Sequence, residues 1–116
     1  MTTVLYGIPS CDSVKKARRW LEENRVAHEF VDLRKTPPSA AQLSTWLDSV
    51  GDKRLVNRRS TTWKALPDDQ RAAIEAGDVV PGLEANVTLI KRPVLEHDND
   101  VAVGFDAADY AQRFTS

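Results

Sequence analysis

Cys11 is the only cysteine in the chain, and it stands where an apolar run gives way to a helical pattern. Thr3-Val4-Leu5-Tyr6 reads as a short buried strand, and Gly7 and Pro9 mark a turn. Val14, Ala17 and Leu21 then recur at helical spacing from Asp12 to about Asn24. Cys11 is therefore expected in the first turn of a helix, where unpaired backbone N–H groups and the positive end of the helix dipole meet its sulfur. Lys15 lies one turn on. Such surroundings favour the thiolate, which is the nucleophilic form. A lone cysteine is more often a small inert apolar residue, but the strand, turn and basic helix together point to chemistry.

Charge supplies a second clue. The formal net charge of −1 argues against a general nucleic-acid binder, yet the distribution is uneven. Lys15, Lys16, Arg18, Arg19, Lys53, Arg54, Arg58, Arg59, Lys91 and Arg92 fall in three clusters, while carboxylates crowd Asp68 to Asp100. Brought together by folding, the clusters would form an anion site. Rival sites are weak. His97, Asp98 and Asp100 lack the glycine and closing glutamate of a calcium loop and read as a polar hairpin turn, so no metal is expected. His28 has no paired ligand and reads as an exposed strand residue. Ala17 stands where a C-x5-R phosphate loop needs its arginine, and no glycine-rich nucleotide loop is present.

The elements that must position these groups follow from pattern. A chain of 116 residues with six prolines and five glycines suits one domain with its own core. One cysteine forms no internal disulfide and no signal peptide precedes the first strand, so a reducing cytosol is expected. No apolar run approaches the ~18 residues of a membrane span. Ala27 to Asp32 alternates as a second strand, parallel to the first through a right-handed crossover. Ser39 with Gln42 makes a capping box for a helix in which Leu43, Trp46, Leu47 and Val50 form the apolar stripe before Gly51, so Trp46 is core. Lys53 to Ser60 reads as irregular, followed by short helices at Thr61–Leu66, Asp68–Ala76 and from Pro81 to about Asn86. Val87 to Glu96 leads into a third strand, a hairpin joins it to a fourth at Val101–Phe105, and Asp106 caps a last helix with Ala107, Tyr110, Ala111 and Phe114 inward.

Tyr6 to Leu21 (YGIPSCDSVKKARRWL), Asn57 to Leu66 (NRRSTTWKAL) and Ile90 to Leu95 (IKRPVL) resemble the ArsC family, most closely its YffB-like branch near the Spx regulators. The resemblance runs from about Val4 to Phe114. It implies an α/β, thioredoxin-like fold: one domain over 1–116, with a four-stranded mixed sheet and a helical insertion over about 36–88. It also implies a cis Pro93 beside Cys11, Arg92 reaching an anion, and an arginine facing the cysteine loop, Arg59 ahead of Arg58. Two departures bear on the reaction. The arsenate reductases carry a histidine where this chain has Gly7 and a third arginine near Gly104, which weakens oxyanion chemistry here. Spx-type proteins carry a second cysteine where this chain has Val14, so an internal C-x-x-C switch is excluded.

The expected function is a glutathione-dependent thiol–disulfide reductase working through Cys11, with Lys15, Arg58, Arg59, Arg92 and Pro93 binding the cosubstrate glutathione. Glutaredoxin or a disulfide-bearing protein is a further expected partner; direct nucleic-acid and membrane contacts are not expected. The alternatives are arsenate reduction with glutathione or glutaredoxin, and a non-enzymatic Spx-like regulator that meets RNA polymerase through Lys16, Arg18 and Arg19.

Overall fold

In the computed structural model, which describes residues 2–114, the elements in chain order are β1 (Thr3–Gly7), α1 (Asp12–Glu23), β2 (Glu29–Asp32), α2 (Ala40–Val50), α3 (Asp52–Leu55), α4 (Thr61–Ala65), α5 (Asp68–Glu75), α6 (Val79–Ala85), a 3-10 turn (Val87–Leu89), β3 (Val94–His97), β4 (Asp100–Val103) and α7 (Ala107–Phe114). They form two compact units, Met1–Thr36 with Arg92–Ser116, and Pro37–Lys91.

The first unit is a four-stranded sheet in the order β2-β1-β3-β4, with β1 parallel to β2 and antiparallel to β3, and β3 antiparallel to β4. This β-α-β then β-β-α arrangement is a thioredoxin-like fold. Because side chains alternate along a strand, one rung of Phe30, Leu5, Leu95 and Ala102 shares a face. Ala17 and Leu21 of α1 and Tyr110 of α7 close over that face, and Trp20, Phe105 and Phe114 seal the rim. Tyr110 meets the Trp20 and Phe105 rings edge-on at 5.7 and 4.9 Å between centroids.

Local signals end α1 sharply. Arg25 adopts φ 56°, and the N–H groups of Arg25 and Val26 return to the Glu22 and Leu21 carbonyls. Val26 thereby turns onto the core. The next strand begins at Glu29, two residues later than the sequence pattern suggests, because His28 Nδ1 donates to the Val26 carbonyl at 2.8 Å. His28 is thus a half-buried residue of the turn and not an exposed strand residue. The β3–β4 hairpin closes through Asp98 and Asn99, with Asp98 at φ 55°. β4 ends at Val103, short of Phe105, since Gly104 leaves the strand at φ 78°.

The second unit is all-helical apart from one bridge. Ser39 Oγ accepts from the Gln42 N–H at the start of α2, Gly51 ends it at φ 83°, and Leu43 and Trp46 are fully buried. Residues 52–55 form a helical turn where the sequence suggests an irregular loop. Gly82 lets α6 approach α5: a Cβ there would lie 2.6 Å from Ile74 Cγ1. The stretch after α6 does not lead straight into a strand; it turns at Val87–Leu89, and Ile90 makes only an antiparallel bridge to Val56.

Candidate active site

Cys11 is the N-cap of α1, one position before the first helical turn, with extended backbone angles of −74° and 129°. Its N–H donates to the Ile8 carbonyl and its carbonyl accepts from the Lys15 N–H, both at 2.9 Å, so the backbone on each side of the sulfur is fixed. The residue is half-buried. An N-cap side chain ordinarily accepts from the second or third helical amide, here Ser13 or Val14, yet no side chain caps α1. The amides at this end of the helix are therefore available to a negatively charged sulfur or to an anion held on it.

The turn that aims Cys11 depends on Gly7. A Cβ built there would lie 2.5 Å from Val14 Cγ2 and 3.0 Å from Cγ1, so Val14, itself fully buried, occupies the space beside the strand end. The Gly7 carbonyl accepts from the Leu33 N–H at 2.9 Å, tying this end of β1 to the chain leaving β2. Val14 is a wall of the site that the sequence marks only as one apolar position of a helix.

The register β1–β3 pairs Tyr6 with Val94, which sets Pro93 one step on, level with Gly7 at the sheet end where the Cys11 loop departs. The Arg92–Pro93 bond is cis, as the resemblance implies. Pro93 is buried, and its carbonyl accepts from the Gly104 N–H at 2.9 Å. Gly104 is a supporting residue that the sequence marks as part of the fourth strand and as a departure from the arsenate reductases, not as a backbone donor to Pro93. Arg92 is half-buried and Lys15 exposed. Below them Tyr6 Oη donates to Glu96 Oε1 at 2.8 Å. Cys11, Lys15, Arg92 and Pro93 thus all belong to the sheet unit.

Arg58 and Arg59 belong to the helical unit. Arg58 is held by two carboxylates, Nε to Glu75 at 2.7 Å and Nη2 to Asp52 at 3.1 Å, with Trp63 5.4 Å below its guanidinium. Burial works to lower its pKa, but the hydrogen bonds and charges of Glu75 and Asp52 outweigh that and raise it above the ordinary value. Arg59 is exposed, and its N–H donates to Asn57 Oδ1. Among the described residues no group of three His, Cys, Asp or Glu side chains could hold a metal, and no helix is long and apolar enough to cross a membrane.

A partly accessible cysteine at an uncapped helix start, with a cis-proline at the same sheet end, defines a thioredoxin-like protein with a single thiol at that end. The chain belongs to the ArsC family, whose model matches residues 6–113. It is 36% identical to an uncharacterized protein of Haemophilus influenzae over 98% of this chain and 99% of that one. It is similar to the solved structure of a YffB protein at 38% identity and a TM-score of 0.91, covering 96% of this chain and 97% of that one. The global transcriptional regulator Spx of Enterococcus faecalis is 28% identical over 95% of this chain and 83% of its own length.

Proposed function

We propose that the protein is a monothiol reductase that uses glutathione. The observation that carries this is Cys11 at an uncapped helix N-terminus with Val14 at the position of any resolving thiol three residues on. The Cys11 thiolate attacks the glutathione sulfur of a mixed disulfide, the S–S bond breaks, and the substrate thiolate leaves with the electron pair and takes a proton. A second glutathione thiolate then attacks the Cys11–glutathione disulfide, releasing glutathione disulfide and restoring Cys11. The uncapped helix amides and Lys15 receive the glutathionyl group at Cys11, Arg92 pairs with a glutathione carboxylate, and Pro93 shapes the groove. Arg58, matched by Asp52 and Glu75, has less to offer an incoming anion than Arg59. The cytosol, which supplies glutathione, is the compartment this chemistry needs.

Reduction of a glutathionylated peptide by the pure protein, with glutathione as the only reductant, is the direct test. Turnover should disappear in Cys11→Ser, and a stalled wild-type reaction should carry one glutathione on Cys11. Undiminished turnover by C11S would refute the assignment, and glutathione-dependent arsenate reduction by the pure protein would replace it with the oxyanion reaction.

A further inference from the structure

The face of α1 that continues from Cys11 is rich in basic side chains. Cys11, Lys15 and Arg19 are spaced four apart, so they form one row along the helix, with Lys16 beside it. Lys15, Lys16 and Arg19 are exposed, and Arg18 lies half-buried with its guanidinium 4.2 Å from the Phe30 ring centroid. None of the four makes an ion pair among the described residues, whereas Arg58, Arg71 and Arg113 each hold a carboxylate. The helix does carry acids: Asp12 in the first turn, and Glu22 and Glu23 in the last. Asp12 precedes Lys15 by three and Lys16 by four, and Glu22 and Glu23 follow Arg18 and Arg19 by four, the weaker order for such pairs, yet none of these carboxylates pairs with Lys15, Lys16 or Arg19 among the described residues.

From this unmatched row we infer a docking surface for the protein substrate of Cys11: a polypeptide whose reacting cysteine is followed or preceded by acidic side chains. The inference rests on the monothiol chemistry proposed above. Its geometry is set by the helix. At about 1.5 Å per residue, Lys15 and Arg19 stand roughly 6 and 12 Å along the axis from Cys11. An extended chain advances about 3.3 Å per residue, so carboxylates some two and four residues from the substrate cysteine would meet them. Both would also project to one side of that chain, because alternate residues of a strand share a face.

The test uses three short peptides that differ only at positions two and four from a central cysteine, which carry Glu, Ser or Lys. Each cysteine is activated as its neutral pyridyl disulfide. Cys11 thiolate attacks the peptide sulfur, a Cys11–peptide disulfide forms, the pyridyl S–S bond breaks, and pyridine thiolate leaves with the electron pair to be protonated as the thione. At low salt the Glu peptide should react about three- to tenfold faster than the Ser peptide and the Lys peptide more slowly than either, with the spread closing as salt is raised. In Lys16→Glu/Arg19→Glu the Ser peptide should keep its rate while the order of the Glu and Lys peptides reverses. Equal rates for all three in the wild type, or an unchanged order in the variant, would overturn the docking surface and leave the thiol chemistry standing. Failure of every peptide to react would remove both.

Discussion

Gly7→Ala is the smallest perturbation that probes how the cysteine loop is held. The added methyl would sit 2.5 Å from Val14 Cγ2. Carbon contacts are comfortable at about 3.5–4.0 Å, so one partner must retreat by roughly 1 Å or more. Val14 cannot simply rotate away, because a β-branched side chain in a helix has one strongly preferred rotamer and this one is fully buried. Overpacking of this kind costs about 1–3 kcal/mol, offset by roughly 0.5–1 kcal/mol for replacing glycine in a strand, which leaves a net loss of ~1–2 kcal/mol. Val14→Ala alone removes two buried methylene equivalents, about 1.6 kcal/mol before any cavity cost, and so ~2–3 kcal/mol in all. In the double variant the alanine methyl at position 7 occupies the space that Val14 vacates, so its stability should match Val14→Ala and fall short of additivity by ~1–2 kcal/mol. Urea unfolding followed by fluorescence of the three tryptophans measures all four corners of the cycle. Because α1 carries Cys11 at its N-cap, Gly7→Ala should also slow turnover, on the order of 10²-fold for a displacement near 1 Å. Additive losses within about 0.5 kcal/mol would show that Val14 does not hold position 7 small.

Buried Tyr110 should make the sheet unit lose stability in alkali. Burial pushes its hydroxyl well above the ordinary 10.0, with the charge of Asp109 adding to the effect. Above pH 10 the unfolded chain loses this proton while the folded one keeps it, so the unfolded state binds fewer protons and stability falls with pH, by up to about 1.4 kcal/mol per unit. Tyr110→Phe should remove that slope between pH 10 and 12, as unfolding free energies of the two proteins compared across pH will show; parallel curves would refute it. At the start of α2, Ser39→Ala removes the acceptor for the Gln42 N–H and should cost about 1 kcal/mol. An unchanged midpoint in the same urea assay would contradict that assignment of the cap.

What could be read from sequence followed the strength of local signals. Ser39 and Gly51 bracket α2, Gly77 ends α5 at φ 118°, and the Asp106 carboxylate accepts from the Ala108 and Asp109 N–H groups before α7, so those elements lie where pattern places them. Four residues cannot display a helical period, which hid Asp52–Leu55 among its charged neighbours. Pro81 reads as a helix opener, but α6 starts at Val79, because the third helical position also needs no intrahelical N–H bond. The β-branched run at Val87 and Thr88 suggests extended chain, yet it takes a 3-10 turn and leaves Ile90 as the single bridging residue. Cys11 stood out by its type and its neighbours, whereas the cis Pro93 was implied only by the family resemblance. The pairing of Arg58 was hidden, since its partner Glu75 lies seventeen residues away and only tertiary packing brings the two together.

Gly7 and Val14 join two departures from related patterns into one packing event. The histidine of the arsenate reductases falls at position 7 and the second cysteine of Spx-type proteins at position 14, and here a side chain at the first would run into the valine at the second. Any side chain at 7 must displace the valine, so the histidine cannot be regained without first shrinking residue 14. A cysteine at 14 would be smaller than valine and would stand at a fully buried position. The same valine therefore fills the space a histidine would need and occupies the position of a resolving thiol, and the chain holds no second cysteine that could release a disulfide on Cys11.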